Sequence, residues 1–270
     1  MRTWFLTVFF LIPLPFFAGC GGDQADTVES EAARPLVVGM ELAYPPFEMR
    51  DSENQPDGIS VRMAEGLAEY LGRPLEVRDV EWSGIIPALQ SGKIDVIISS
   101  MTRTEERARA IAFSDGYVTN GLCMLVSKDS PIQSRADLNS GDFKAAVKIA
   151  TTGHQWVRNT LPDLELVVLD NAASCALEVI QGKADVFIYD QISIYQFWQK
   201  NKETTRPILT PIRAETWAIG MRKEDEALRA KVNDFLADFR AQGKFDSLAD
   251  QYMSDAKTAF EEMGVPFIFH

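Results

Sequence analysis

The chain is poor in the residues that reaction chemistry most often borrows. Its 270 residues include three cysteines and two histidines, and 27 Lys and Arg face 39 Asp and Glu. With His154 and His270 the sole histidines, familiar metal-ligand spacings cannot be assembled, and neither a metal nor a cofactor is expected. Cys–His nucleophilic chemistry has no support either. The formal net charge of −12 repels phosphate backbones, which argues against a nucleic-acid partner. Long apolar runs are lacking too. Residues 4–17 are apolar, but a membrane span needs about 20 such residues, and Pro13 and Pro15 break the run. Cys123 and Cys175 stand at no spacing that demands a disulfide, so buried free thiols are expected.

That short apolar run is a leader. Arg2 is the only charge before Asp23, as in a signal peptide. The run ends in Phe17-Ala18-Gly19-Cys20, which resembles a bacterial lipobox with Phe17 where Leu is usual. The resemblance implies that residues 1–20 form a lipoprotein signal peptide and that Cys20 is lipidated. The protein is then exported and faces the periplasm or cell exterior, with the lipid as its only membrane contact. Residues 21–34 are small and acidic without apolar periodicity, the composition of a disordered tether.

From residue 35 short apolar runs alternate with amphipathic stretches, the pattern of βαβ units and a mostly parallel sheet. Strands are expected at residues 36–40, 75–80, 94–98, 122–127, 145–150, 166–169, 186–189 and 217–221. Helices are expected at 61–71, 83–91, 104–110, 155–161, 174–181, 192–200, 226–242 and 245–253. One phrase occurs twice. A helix runs into Gln90-Ser91-Gly92-Lys93-Ile94-Asp95 and another into Gln181-Gly182-Lys183-Ala184-Asp185, each followed by an apolar strand. The echo suggests two lobes of like construction.

Six segments point further. They are Tyr44-Pro45-Pro46-Phe47-Glu48, the stretch from Trp82 through Gly84 and Pro87 to Asp95, Met101-Thr102-Arg103-Thr104-Glu105-Glu106-Arg107, Phe113-Ser114-Asp115-Gly116-Tyr117, Thr151-Thr152-Gly153 and Gly182-Lys183-Ala184-Asp185. In this order and spacing, residues 36–253 resemble the family-3 extracellular solute-binding proteins, the periplasmic binding proteins for polar amino acids. The resemblance implies an α/β fold of two lobes joined by two crossing hinge strands, near residues 117–121 and 214–218, with the ligand in the inter-lobe cleft. Residues 35–119 plus 217–253 form lobe one, 120–216 lobe two, and 254–270 a C-terminal extension. Open α/β sheets independently bind ligands at the carboxyl ends of their strands.

Read alone, Arg107 belongs to a charged run and suits a solvated helix face. The resemblance makes it the fork for a ligand carboxylate, with Thr102 beside it. Asp190 alone reads as a helix N-cap; by resemblance it takes the ligand's ammonium. Ser100 and Thr152 are ordinary turn residues that the family uses for further hydrogen bonds. Tyr44 and Trp82, otherwise core aromatics, fall where the family stacks the ligand's side chain. Glu41 and Lys148 bear on specificity. Glu41 alone favours arginine or lysine, and Lys148 repels a cationic side chain unless it pairs with Glu41. Together they favour a glutamine-like polar amino acid, with arginine and lysine second. Ala150 departs from the usual glycine before Thr151. The expected role is amino-acid capture by hinge closure and delivery to an ABC transporter permease, without catalysis. A cyclohexadienyl-dehydratase-like enzyme on the same fold and a ligand-presenting sensory protein are the alternatives.

Overall fold

The computed structural model describes residues 34–139 and 142–265. The expected signal peptide, Cys20 and the tether up to residue 33 lie outside the described residues, as do residues 266–270. The first half opens with β1 (Leu36–Met40), the short strands β2 (Met49–Arg50) and β3 (Pro56–Asp57), and α1 (Ile59–Leu71). Next come β4 (Leu75–Asp79), a 3-10 turn at Trp82–Gly84, α2 (Ile85–Gln90), β5 (Val96–Ile97) and α3 (Glu105–Ala110). β6 (Ala112–Ser127) leads into the second half, which holds β7 (Lys144–Lys148), α4 (Thr152–Thr160), β8 (Glu165–Leu169), α5 (Ala172–Ile180), β9 (Val186–Asp190) and α6 (Gln191–Lys200). β10 (Thr205–Met221) returns to the first half, where α7 (Glu226–Ala241) and α8 (Lys244–Glu262) follow.

The main sheet has eight strands in the order β4-β1-β5-β10-β6-β9-β7-β8. β1 is parallel to β4 and β5, and β7 is parallel to β8 and β9, so each half has its own parallel trio. Parallel strands are covered on both faces, which is why β1 and β9 read as unbroken apolar runs. β6 and β10 are antiparallel to each other and hold the trios together. Their middle pairs are Val118 with Trp217, Thr119 with Thr216, Asn120 with Glu215 and Gly121 with Ala214.

Two expectations need correction here. The strands expected at 122–127 and 217–221 are only the ends of strands 16 and 17 residues long. Gly116, Asn120 and Gly121 on one, and Pro207 and Pro211 on the other, carry loop propensity; mutual pairing overrides it. The cost shows as a register shift between Ile208 and Arg213, around Pro211. The closing helix does not stop at Met253. α8 continues to Glu262 across a kink at Met253, where φ is −140°. Its second part buries Ala256 and Phe260, and Phe260 meets Tyr195 of α6 edge-on at 5.1 Å between centroids. Apolar positions 249, 253, 256 and 260 at helical spacing drive this extension.

Smaller departures are at boundaries. β5 is two residues rather than five, although Ile94 through Ile98 are all buried. Cys123 and Cys175 are free and buried, as expected, and burial pushes both thiols well above their ordinary range. Among the described residues no helix is long and apolar enough to cross a membrane.

Candidate functional site

The carboxyl ends of the parallel strands from both halves face one cleft. Glu41 follows β1, Ser99 and Ser100 follow β5, Lys148 ends β7 and Asp190 ends β9. The topology that buries the strands therefore delivers their polar ends to one place. The cleft is lined by Glu41, Tyr44, Trp82, Ser100, Thr102, Arg107, Thr152 and Asp190, with Glu48, Ser99, Thr151 and Tyr189 beside them. Its enclosed volume is about 20 Å³, room for roughly one water.

Arg107 is held from its own helix. Thr104 caps α3 by accepting from Arg107 N at 3.1 Å, and the guanidinium donates to Thr102 O at 2.8 Å. Its other nitrogen reaches across the cleft to Ala150 O at 3.2 Å. Arg107 is 6% exposed, so it is not a solvated helix face. Burial lowers its pKa, while Glu215 and Asp190 oppose the shift. Trp82 Nε1 also donates to Ala150 O, at 3.1 Å. That carbonyl is presented by a left-handed backbone, with Ala150 at φ +58°.

Asp190 stands at the N-cap position of α6, yet its side chain makes no capping hydrogen bond. It accepts from Tyr44 Oη across the cleft at 3.0 Å and from Asn120 Nδ2 at 2.8 Å. Burial, reinforced by the nearby Glu215 charge, pushes its carboxyl up to about 7. An arriving ammonium would reverse that shift, since an opposite charge favours the carboxylate.

Lys148 and Glu41 form an ion pair across the cleft, with side chains 3% and 11% exposed. Burial raises the Glu41 pKa and Lys148 opposes it. Trp82 lies between cation chemistries: Arg107 Cζ is 5.0 Å and Lys148 Nζ 5.7 Å from its ring centroid. Tyr44 is packed edge-on to Trp217 and tilted against Phe47 and Tyr189, so its hydroxyl rather than its face is turned to Asp190.

Thr151 caps α4 by accepting from His154 N, which sets Thr152 at the first turn. Gly153 is required there, because a Cβ would come within 2.5 Å of Ile188 O on β9. This close approach seats the start of α4 against β9, and Thr152 and Asp190 both line the cleft. Two residues escaped the sequence reading. Glu48 is fully enclosed, and Ser60 and Ser100 both donate to its Oε2, at 2.6 and 3.0 Å; burial pushes its carboxyl up to about 8. An acid directly after Pro45-Pro46-Phe47 was the available signal. Glu215 accepts from Thr102 Oγ1 and Thr152 Oγ1, and nothing in its strand segment marks it as buried.

Comparison with known proteins agrees with this fold. Residues 36–255 match the family described as bacterial extracellular solute-binding proteins, family 3. The L-cystine-binding protein TcyJ of Escherichia coli (strain K12) is 26% identical over 80% of this chain and 82% of its own length. The ABC transporter glutamine-binding protein GlnH of Bacillus subtilis (strain 168) is 28% identical over 82% of this chain and 81% of its own. Among solved structures, holo ArgBP from T. maritima superposes with a TM-score of 0.71 at 34% identity, covering 80% of this chain and 94% of that one.

Proposed function

Since the chain belongs to the bacterial extracellular solute-binding proteins, family 3, and serves as the amino-acid-binding component of an ABC transporter, we propose that its cleft takes a free glutamine-like amino acid, with arginine and lysine second. Relatives named for cystine, glutamine and arginine support a polar amino acid as the class. They are binding proteins, and this chain's role is binding without catalysis.

The observation that carries the reading is the pairing of opposite charges on facing walls. Arg107 is the fork for the ligand's carboxylate, with Thr102 and Thr152 as neighbours. Asp190 receives the ammonium, with Tyr44 and Ser100 around it. Further along, Glu41 and Lys148 cancel each other's charge while offering an acceptor and a donor, the complement of a carboxamide. Trp82 covers the stem. Lobe one (35–119 plus 217–253) brings Glu41, Tyr44, Trp82, Ser100, Thr102 and Arg107, and lobe two (120–216) brings Lys148, Thr152 and Asp190. Only a ligand that touches both lobes gains all contacts, so binding favours closure about β6 and β10. The permease reads the closed form.

The anchor completes the proposal. Cys20 carries a lipid, which keeps the protein at the membrane facing the periplasm or exterior. Mass spectrometry of the mature protein should find a lipidated N-terminal Cys20, and a soluble product retaining unmodified Cys20 contradicts it.

The ligand is tested by thermal shift with each of the twenty amino acids, followed by competition of glutamine against arginine. Glutamine is expected to stabilise most. Lys148→Leu should move preference toward arginine by on the order of 1–3 kcal/mol, because a like charge is gone. A wild type that already prefers arginine tenfold or more overturns the glutamine assignment.

A further inference from the structure

His154 is the sole histidine among the described residues, and it has no part in this recognition scheme. It stands half-buried in the first turn of α4, just past the turn that joins β7 to that helix. Its Nδ1 accepts from Ala150 N at 3.2 Å, and its own N–H donates to Thr151 Oγ1 at 3.4 Å. Ala150 is left-handed at φ +58°, a conformation costly for a residue that carries a Cβ. The hydrogen bond to His154 offsets part of that cost. It also fixes the residue whose carbonyl meets the other half of the molecule, where Trp82 Nε1 donates to it at 3.1 Å and Arg107 at 3.2 Å. The same short turn brings Lys148 to Glu41 and Thr152 to the cleft wall.

We propose that His154 is a positioning residue: its neutral ring holds the Ala150 carbonyl as a latch between the halves in the closed form, and protonating the ring loosens the grip on a captured amino acid. The inference rests on the reading that the halves close around an amino acid; the latch forms on closure and adds to what the ligand itself contributes. An imidazole accepts only at an unprotonated nitrogen. A proton on Nδ1 would set a donor against the Ala150 N–H, and the turn would be free to leave its left-handed conformation, taking the carbonyl with it. α4 packs against β7 and β9, whose nearby charges are already engaged: Lys148 pairs with Glu41, and Asp190 accepts from Tyr44 and Asn120. On α4 itself Arg158 faces the ring. Burial lowers the His154 pKa from 6.5, and Arg158 acts in the same direction. The latch is therefore intact at neutral pH and is lost as pH falls through that lowered value. Because it exists only after closure, its loss speeds release more than it slows capture.

His154→Leu removes the acceptor at every pH, whereas His154→Asn keeps an acceptor oxygen near the place of Nδ1 and cannot titrate. Calorimetry at pH 7.5 and pH 5, with glutamine and in parallel with arginine, reads the effect. At pH 7.5 His154→Leu should bind about fivefold more weakly, the worth of one hydrogen bond, and His154→Asn should match wild type. Between pH 7.5 and pH 5 wild type should lose about fivefold more affinity than His154→Asn, which carries the same cleft carboxylates. Both ligands should show the same ratios, since the Ala150 carbonyl meets Trp82 and Arg107 and reads no ligand side chain; a preference for arginine thus sinks the glutamine reading and leaves the latch standing. Unchanged affinity in His154→Leu, or equal losses in wild type and His154→Asn on acidification, overturns the latch. Nitrogen NMR of the imidazole gives a check that needs no ligand: an unprotonated Nδ1 at pH 7.5 is expected, and a proton on Nδ1 overturns the hold on Ala150.

Discussion

After α2 the chain turns at Gly92 with φ +73°, and after α5 it turns at Gly182 with φ +66°. Each turn leads to an aspartate that locks onto the start of a parallel strand. Asp95 N donates to Val37 O at 2.7 Å, and Val37 N donates back to Asp95 Oδ2 at 3.1 Å. Asp185 does the same with Lys144, at 2.8 and 2.7 Å. The repeated phrase in the sequence is thus a repeated piece of scaffold. It is not used equally, however. Asp95 is 2% exposed and also pairs with Arg34, Arg73 and Arg222, whereas Asp185 is half-buried. The first lock ties Arg34, just before β1, and the turn after β10 to one carboxylate. The cleft walls diverge further still, with Trp82 and Arg107 on one side and Lys148 and Asp190 on the other. Shared construction makes the scaffold, and divergence between the halves makes the site.

The divergence is broken most severely at the walls. Arg107→Ala and Asp190→Ala should each cost on the order of 3–5 kcal/mol of amino-acid binding, because each leaves one ligand charge buried without a partner. Calorimetric titration measures the loss, and unchanged thermal melts should show that neither half has unfolded. Near wild-type affinity in either variant would remove that residue from the site.

Glu48 offers a pH test confined to the first half. Its carboxyl binds a proton more readily when folded, with the pKa raised from 4.5 to about 8. Its contribution is therefore full below pH 4.5, and stability declines as pH rises toward 8, by about 5 kcal/mol. Urea unfolding at pH 5 and pH 9 should show that decline in wild type and a shallower one in Glu48→Gln. Equal slopes would mean that Glu48 is ionised throughout.

The two locks can be compared directly. Asp95→Ala takes the carboxylate from half-buried Arg73, which keeps only backbone carbonyls, as well as from a strand N–H, and should cost roughly 2–3 kcal/mol, while Asp185→Ala loses mainly one hydrogen bond, about 1 kcal/mol. Equal losses in urea unfolding would show that the arginines around Asp95 contribute nothing.

The smallest effect concerns two left-handed residues at the cleft, Ser100 at φ +47° and Ala150 at φ +58°. Glycine relieves such a backbone, so Ala150→Gly should stabilise the free protein by roughly 0.5–1 kcal/mol. Ser100→Gly should not, since it also removes the hydrogen bond to Glu48. A destabilised Ala150→Gly would mean that the Cβ packs favourably and outweighs the strain.

Much of the scaffold was legible because it is written in local periodicity. The apolar runs of β1 and β9, the glycines after α2 and α5, and the twice-used aspartate each announce themselves within a few residues. The crossing strands were only half legible. Residues 114–121 and 207–216 carry Gly, Pro, Asn and Asp, and become strands through the pairing of β6 with β10, between residues about 80–100 positions apart. The site divides the same way. The nine residues singled out as ligand contacts gather at one cleft, Lys148 through its ion pair with Glu41, because family motifs sit at strand ends. Glu48 and Glu215 were missed because their burial depends on partners brought from elsewhere in the chain: Ser60 and Ser100 for one, Thr102 and Thr152 for the other. Local pattern carries no trace of such partners.

The central claim is that facing walls grip the two ends of an amino acid at once. It is tested most directly by calorimetry of the wild-type protein with glutamine and with two analogues, one lacking the α-carboxylate and one lacking the α-amino group. The account predicts measurable binding of glutamine and loss of at least a hundredfold for each analogue, since a partnered buried charge is worth several kcal/mol. Binding of either analogue as tightly as glutamine would contradict it.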